Sequence, residues 1–237
     1  MRNVTVAILA YGEEENLRVL LPQIHTVMQS MELPDYSILV VDGAQSLDNS
    51  KDVCEELNAK YVNQRYPGFG GAFRTAIEDA QGELFCILDA DGSHDPACIP
   101  AMYRKFESEG CDLVIGSRYV KGGKTLDSPS SVVMSKILNL AFRIVLGIRA
   151  KDISTDFRLY ETAQLKAVEL QCVNYDVLQE VLLKLKLNKP ELKIGEVPIT
   201  FRKRLFGESK RRLLPFILSY AKTLFRLLWI RITYRKK

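Results

Sequence analysis

Two carboxylates at the end of an apolar run have the residue type and spacing that most directly suggest chemistry. Residues 83–96 read Glu-Leu-Phe-Cys-Ile-Leu-Asp-Ala-Asp-Gly-Ser-His-Asp-Pro, so Asp89 and Asp91 follow where the hydrophobic segment stops. In an open α/β sheet, ligands bind beyond the carboxyl ends of the strands, and a hard divalent cation takes carboxylate oxygens together with substrate phosphates. The spacing therefore suggests a cation site for a phosphorylated ligand.

The same segment has a simpler interpretation as a turn. Asp, Gly and Ser are ordinary turn formers, and Asp95-Pro96 is a typical helix start, so a strand cap explains the residues equally well. Under the first interpretation Ser93 offers one more oxygen to the cation. The two histidines, His25 and His94, form no metal-binding pattern, and His94 is interpreted as a loop residue near the site.

A basic segment near the C-terminus is the second candidate binding element. Residues 202–210 read Arg-Lys-Arg-Leu-Phe-Gly-Glu-Ser-Lys, and clustered Arg and Lys beside a Ser hydroxyl suit phosphate. Residues 202–237 hold twelve Lys or Arg and one acid, a net charge of +11, whereas the rest of the chain sums to −7. This asymmetry predicts an anionic partner, either nucleic acid or a membrane surface.

Hydrophobic periodicity predicts the elements that must position these residues. We expect strands at 3–10, 36–42, 60–63, 83–89, 112–117 and 193–201, and helices at 13–31, 48–57, 68–80, 97–109, 132–146 and 176–187. The segment 119–131 is expected to be a mobile loop beside the site, and 152–160 to be irregular. The alternation predicts an α/β fold with a mostly parallel sheet and helices on both faces.

Composition excludes several other classes of protein. The chain of 237 residues has an ordinary globular composition, and its five cysteines lack Cys-x-x-Cys spacing, which indicates reduced core thiols of a cytosolic protein. The first apolar run, Val4 to Leu9, is too short for a signal peptide. The turn at 10–15, Ala-Tyr-Gly-Glu-Glu-Glu, lacks the glycine-rich pyrophosphate loop of a dehydrogenase.

Residues 213–237 predict a basic amphipathic helix. Their longest uncharged run, 213–221, is too short to span a bilayer, and the polar residues fall near one face, which suits a helix lying in the membrane interface. A helix packed on its own domain or on a second subunit would have the same pattern, and both interpretations stay open. The interleaved Leu, Ile and Phe favour lipid over nucleic acid.

Taken in order, the motifs resemble those of family two glycosyltransferases of the dolichyl-phosphate or polyprenyl-phosphate sugar transferase type, over nearly the whole chain. Each motif alone is unspecific, but their order and spacing are highly specific. The matching segments are Tyr11-Gly12-Glu13-Glu14-Glu15-Asn16, Val40-Val41-Asp42, Gly68-Phe69-Gly70, 89–96, Gly116-Ser117-Arg118-Tyr119 with Gly122-Gly123, Ser135 and Asn139, Asp152 with Phe157-Arg158-Leu159-Tyr160, and Gly207-Glu208-Ser209-Lys210.

The resemblance implies a glycosyltransferase A-type fold, a nucleotide-sugar donor and a lipid-linked phosphate acceptor. Residues 1–212 would form the catalytic domain, and the helix at 213–237 would hold it to the cytoplasmic face of a membrane. The implied site residues are Asp89, Asp91 and Ser93 for Mg²⁺ or Mn²⁺, Tyr11, Glu13, Asp42 and Gly70 for the donor, and Arg118, Arg204, Ser209 and Lys210 for phosphate, with Asp89, Asp91, Arg118 and Arg204 as the catalytic set.

The chemistry of a phosphate acceptor agrees with these groups. A phosphate monoester has a second pKa of about 6, so it is largely ionised at neutral pH and needs no general base. The enzyme must instead bring two anions together, which requires a cation on the diphosphate and Arg or Lys on both anions. By resemblance, a hexose such as mannose or glucose would pass to a polyprenyl phosphate with inversion at the anomeric carbon.

Several positions depart from the family pattern. Gly43 stands where a second acid usually follows Asp42, which leaves the base of the donor open. Asp156 replaces the usual Gly before Phe157, Ser131 occupies the expected Arg position, and Asn174 replaces a Gly. The preference for acceptor or sugar is expected to shift with these changes.

Two alternative functions remain. Transfer to a hydroxyl would require a carboxylate base such as Asp152 or Glu180, although Asp152 and Arg158 are also explained as a structural ion pair. A non-catalytic nucleotide-binding partner subunit is suggested by Gly43 and Asp156. Because long C-terminal hydrophobic hairpins are not seen in the sequence, membrane contact is expected from the C-terminal helix, from its basic flanks, or from a separate membrane subunit. A membrane subunit or a second copy of the chain is the protein partner to consider.

Overall fold

The first part of the chain alternates strands and helices, as the hydrophobic pattern predicts. The computed structural model describes residues 1–206 and a helix at 213–234, with side chains described from 222 to 233 in that helix. The first elements are β1 (Val4–Leu9), α1 (Glu14–Gln29), β2 (Tyr36–Asp42), α2 (Ser50–Glu56), β3 (Lys60–Asn63), α3 (Gly68–Asp79) and β4 (Leu84–Asp89).

The later elements are shorter and less regular. They are a 3₁₀ turn (Pro96–Cys98), α4 (Ile99–Glu109), β5 (Leu113–Ser117), β6 (Lys124–Thr125), α5 (Pro129–Leu146), β7 (Arg158–Glu161), α6 (Thr162–Lys166), α7 (Val177–Asn188), β8 (Ile194–Pro198), β9 (Thr200–Phe201) and α8 (Leu213–Tyr234). Part of the loop expected at 119–131 is therefore strand β6, and it pairs with β9 in a small parallel sheet.

The central sheet has seven strands in the order β3-β2-β1-β4-β7-β5-β8. All pairings within it are parallel except those of β7, which runs antiparallel between β4 and β5. Apolar residues alternate along β1, so that Ala7 packs in the core on one face of the sheet and Ile8 in the core on the other. Helices α3, α5, α6, α7 and α8 cover the first face, and α1, α2 and α4 cover the second, which confirms the predicted layers.

Strand β7 corrects the last part of the prediction that 152–160 is irregular, whereas 152–157 form neither helix nor strand. The segment looks polar because it contains Arg158, yet that side chain is fully buried. Its guanidinium donates to the backbone carbonyls of Ile153, Thr155 and Leu178, and also to the Tyr160 hydroxyl. Because a buried guanidinium with such partners is compatible with a central strand, polarity alone misassigns the segment.

Helix α8 packs on the domain with one face. Leu227 is fully buried in the core, and the Arg231 guanidinium donates to the carbonyls of Ile144 and Val145 on α5. Phe225 and Trp229 on the same helix are 75% and 67% exposed. The packed-helix interpretation therefore describes one face of α8, and its outer apolar face stays exposed.

Candidate active site

The carboxyl ends of β1, β2 and β4 meet at one edge of the sheet and form the wall of a cavity of about 690 Å³. The residues that line it include Tyr11, Glu13, Asp89, Asp91 and Arg204 from the predicted site. A concave site with a few converging charged groups at this edge is the usual location of a ligand in an α/β fold. The structure thus brings together residues from both ends of the chain.

The turn after β4 is held by its own carboxylate and by the basic segment. Asp91 is 5% exposed, and its Oδ1 accepts a hydrogen bond of 2.9 Å from the Ser93 backbone N–H. Arg204 Nε lies 3.1 Å from Asp91 Oδ2, and Arg204 Nη1 lies 3.9 Å from Glu13 Oε1. The N–H of Leu205 donates to the Asp91 carbonyl, so residues 202–206 cover the acidic turn.

Asp89 belongs to a cluster of three titratable groups. Ligand atoms of Asp89, His94 and Asp156 lie within 4.8 Å of one another. Burial raises the pKa of the Asp89 carboxyl well above its usual range, and the negative charges of Asp156 and Asp91 raise it further. Burial also lowers the pKa of the His94 imidazole. His94 is thus a loop residue near the site, as predicted, but it also belongs to a possible metal-binding group that the sequence pattern did not indicate.

The cluster has unused binding capacity. Asp156 Oδ2, His94 Nδ1 and Ser93 Oγ are buried and have no hydrogen-bond partner within the described part of the chain. Buried polar atoms without partners are costly, and carboxylate and hydroxyl oxygens are the ligands that Mg²⁺ and Mn²⁺ prefer. The residues present therefore fit a divalent cation.

One end of the cavity is shaped by the residues after β1 and β2. Tyr11 is 53% exposed, and a Cβ built on Gly43 would lie 3.0 Å from its ring, so a side chain at position 43 would have to displace Tyr11. Asp42 is fully buried, and its carboxylate accepts hydrogen bonds from the Gly43 N–H at 2.7 Å and the Tyr61 hydroxyl at 3.0 Å. Asp42 thus supports the pocket from beneath and is not among the residues that line it.

The glycines at the start of α3 permit a close backbone contact. The Gly70 N–H donates to the Val173 carbonyl at 2.8 Å, and a Cβ built on Gly70 would lie 2.1 Å from the Cys172 carbonyl oxygen. The absence of a Cβ lets either a ligand or a neighbouring element approach the backbone, and at Gly70 the structure shows a neighbouring element, the segment 172–173. The adjacent Phe69 lines the cavity and stacks on Tyr175, with ring centroids 4.2 Å apart.

Arg118 and Asp152 form a second charged centre. Arg118 Nε and Nη2 each donate to an Asp152 carboxylate oxygen at 2.8 Å, and the Arg118 backbone N–H adds a bond of 3.0 Å. Asp152 is fully buried, and although its burial opposes the charge, these bonds and the guanidinium hold the pKa of its carboxyl below the usual range. The alternative of an Asp152–Arg158 ion pair is therefore wrong, because Arg118 is the partner of Asp152.

The two carboxylates considered as general bases are both engaged. Asp152 is bound to Arg118, and Glu180 is fully buried, accepts backbone N–H bonds from Gln171 and Cys172, and lies outside the lining of the cavity. The predicted phosphate ligands Ser209 and Lys210 lie outside the described residues. In the sequence, Asp156 stands out only as a departure from a family pattern. Nothing in the sequence indicates its contact with Asp89.

The sequence of the chain matches a known family and named relatives. Residues 5–168 match the family described as Glycosyl transferase family 2. The chain is 34% identical over 233 residues to a dolichol-phosphate mannosyltransferase of Pyrococcus furiosus, covering 95% of this chain and 63% of that protein. It is also 34% identical over 222 residues to an undecaprenyl-phosphate mannosyltransferase of Micrococcus luteus, covering 89% of this chain and 87% of that protein.

Solved structures match the fold. Glucosyl-3-phosphoglycerate synthase from Mycobacterium tuberculosis, in a complex with Mn²⁺, UDP and glucosyl-3-phosphoglycerate, superposes with a TM-score of 0.71 at 18% identity, covering 96% of this chain and 80% of that one. The same enzyme with Mg²⁺ and UDP gives a TM-score of 0.70 at 16% identity, covering 96% and 79%. At this identity the likeness concerns the fold, and it confirms the predicted glycosyltransferase A-type architecture.

Proposed function

The chain belongs to glycosyl transferase family 2, and from that premise we propose that it transfers a hexose from a nucleotide sugar to the phosphate of a polyprenyl phosphate. The names of the two relatives, both polyprenyl-phosphate mannosyltransferases, support this acceptor and favour mannose. The first of them is longer than this chain, which spans 63% of its length. The observation that carries the proposal is the meeting of an acidic cluster and Arg204 in one cavity.

A divalent cation is the expected cofactor. Asp89, Asp91 and Asp156 would hold Mg²⁺ or Mn²⁺, with Ser93 and His94 beside them, since buried atoms of three of these residues lack hydrogen-bond partners among the described residues. Such an ion, when bound, would neutralise charge on the donor diphosphate and on the leaving nucleoside diphosphate. Complexes of the structural neighbour with UDP and Mn²⁺ or Mg²⁺ support this cofactor.

The chain's own groups provide the rest of the mechanism. Tyr11 and the stacked pair Phe69 and Tyr175 offer ring faces for the nucleoside, in a cavity of suitable size. Arg204, next to Asp91, can neutralise a second anion close to the first. The acceptor phosphate is ionised at neutral pH and attacks without a base, which agrees with the engagement of Asp152 and Glu180 in other contacts.

The surface of two helices supports contact with a membrane. Exposed apolar residues recur along α5 at helical spacing (Val133, Ile137, Leu140, Ile144) and along α8 (Phe225, Leu228, Trp229, Ile232). By length and composition, α5 is the one helix in the described residues that could cross a membrane, with 22% of it buried. We expect both helices to lie on an anionic membrane surface, aided by the basic segment at 202–237.

Vesicle sedimentation tests the membrane contact. The paired substitution Ile137→Ser and Trp229→Ser should release the protein from vesicles that contain anionic lipid, whereas Leu47→Ser, which is exposed elsewhere, should not. Equal sedimentation of the wild type, the paired variant and Leu47→Ser would contradict the contact of α5 and α8 with the membrane surface.

Transfer of labelled sugar into an organic phase tests the function itself. The protein is incubated with GDP-mannose or UDP-glucose, Mn²⁺ and either undecaprenyl phosphate or undecaprenol. Label in the lipid fraction that requires the phosphate and Mn²⁺, and disappears with EDTA, is the expected result. Label that forms equally with undecaprenol would indicate a hydroxyl acceptor. Donor binding without any product would indicate a non-catalytic nucleotide-binding subunit.

A further inference from the structure

Helix α8 has inward-facing polar groups that reach the wall of the cavity. Thr223 is 3% exposed, and its hydroxyl donates to Asp176 Oδ2 at 2.5 Å. Arg226, one turn further along, lies 3.4 Å from Glu180 Oε1 through Nη2 and also contacts the Cys172 thiol. Phe225 and Trp229 occupy the exposed face, so the same helix has one polar contact face and one apolar outer face.

Glu180 transmits this contact to the backbone of the segment 171–175. Its carboxylate accepts hydrogen bonds from the N–H groups of Gln171 at 3.0 Å and Cys172 at 2.8 Å. The side chain is fully buried, so its charge must be compensated locally. Lys184, on the same helix as Glu180, supplies one cation at 3.0 Å, and Arg226 is the cation that comes from α8.

The segment 171–175 in turn forms part of the cavity. Asn174 and Tyr175 line it, and Tyr175 stacks on Phe69. The Val173 carbonyl accepts the Gly70 N–H, which joins the segment to the start of α3. A shift of this segment would therefore move one wall of the cavity and the aromatic pair together.

We infer that Thr223 and Arg226 are positioning residues that fix the segment 171–175 as a wall of the nucleotide cavity. Through them the docking of α8 is coupled to nucleotide binding, because a pre-ordered wall need not be ordered when the ligand arrives. The inference rests on the proposed function in taking the ligand of this cavity to be a nucleotide sugar. It adds that the helix with the outer apolar face also determines the shape of the donor site.

These contacts indicate that Arg226 positions the cavity wall and does not simply stabilise the whole domain. Removal of Arg226 leaves Glu180 paired with Lys184 and still bonded to the backbone of Gln171 and Cys172. Among the described residues of α8, Arg231 contacts the carbonyls of Ile144 and Val145 on α5 and not the segment 171–175. Loss of Arg226 should therefore loosen the wall while the domain stays folded.

The test uses the full chain with Arg226→Gln, Thr223→Val and the conservative Arg226→Lys. Arg231→Gln is the matched control, since it also removes an α8 guanidinium contact but one directed at α5. Amide hydrogen exchange is measured at Gln171, Cys172 and Gly70, and the affinities for UDP and GDP with Mn²⁺ are measured by calorimetry. The donor KM and kcat are measured separately.

We expect faster exchange at these three amides and about tenfold weaker nucleotide binding in Arg226→Gln, with a smaller change in Thr223→Val. The donor KM should rise while kcat and the melting temperature change little, and Arg226→Lys should restore much of the loss. Unchanged exchange in Arg226→Gln, faster exchange with unchanged nucleotide affinity, or an equal effect of Arg231→Gln would overturn the inference.

Failure of the proposed function gives a different pattern. A wild-type chain that binds neither UDP nor GDP would contradict the nucleotide-sugar donor. The inference that α8 shapes a nucleotide cavity would then fall with it, even if exchange at Gln171 and Cys172 still responded to Arg226→Gln. Normal nucleotide binding in all variants would leave the donor in place and refute the positioning role alone.

Discussion

Two groups of carboxylates near the carboxyl edge of the sheet have opposite electrostatics. Asp89 lies with Asp91 and Asp156, and burial and the neighbouring negative charges raise the pKa of its carboxyl. Asp152 is fully buried, and although burial opposes its charge, the pKa of its carboxyl is lowered, because two guanidinium nitrogens of Arg118 bind it at 2.8 Å. Asp152 is paired with Arg118 and is part of the scaffold. Asp89 and Asp156 have no Lys or Arg partner among the described residues, and together with Asp91, which Arg204 contacts, they would form a site for a cation that binds with the substrate.

The contrast between the two centres predicts the largest effect for a substitution of Asp91, on the rate of sugar transfer. Asp91→Asn should lower kcat/KM for sugar transfer by about 10³-fold or more, because a hard cation on the diphosphate loses a charged ligand. The fold should persist, since within the described part of the chain the Asp91 carboxylate contacts the Ser93 N–H and Arg204, and the substitution keeps its shape. Steady-state kinetics with Mn²⁺ measure the change, and Asp35→Asn, an exposed substitution of the same charge, is the control. Near wild-type transfer by Asp91→Asn would remove this residue from the metal site.

At the Arg118–Asp152 pair, a substitution should lower the free energy of unfolding. Asp152→Asn leaves the Arg118 guanidinium largely buried without its counter-ion, which should cost about 3 kcal/mol in the free energy of unfolding. Urea denaturation measures this loss, and the double substitution Asp152→Asn with Arg118→Met should recover part of it. A loss below about 1 kcal/mol would show that the pair behaves like a solvent-exposed one.

The smallest expected effect is on the pH dependence of the free energy of unfolding. The contributions of Asp152 and Asp89 should change with pH in opposite directions. The pKa of Asp152 is lowered in the folded state, so its stabilising contribution is present above the unfolded value of about 3.9 and is lost as the pH falls below it. The pKa of Asp89 is raised, so in EDTA its contribution to stability declines as the pH rises above the same value.

Pairwise comparison with Asp152→Asn and Asp89→Asn isolates the two contributions. The stability difference between the wild type and Asp152→Asn should shrink at acid pH. The difference between the wild type and Asp89→Asn should shift against the wild type as the pH rises. Slopes of the same sign in both comparisons would contradict the assigned electrostatics.

The sequence predicts those parts of the site whose residues are adjacent in the chain. The strand ending at Asp89 was predicted because its apolar residues stand together and two carboxylates follow at once. Asp156 reaches Asp89 because β7, which it precedes, inserts between β4 and β5, whereas His94 lies in the loop that directly follows Asp89. Strand β7 was missed because Arg158 makes the segment look polar. The suggested partner of Asp152, Arg158, was likewise wrong, since an ion pair between distant segments such as Arg118 with Asp152 leaves no periodic signal.

Mn²⁺ binding in the presence of UDP or GDP tests whether Asp91 belongs to a cation site and Asp152 does not. Electron paramagnetic resonance of free Mn²⁺ is followed for the wild type, Asp91→Asn and Asp152→Asn at neutral pH. The account predicts one tightly bound ion in the wild type, a large loss of affinity in Asp91→Asn, and retained binding in any folded Asp152→Asn protein. Equal binding by the wild type and Asp91→Asn, or loss confined to Asp152→Asn, would contradict it.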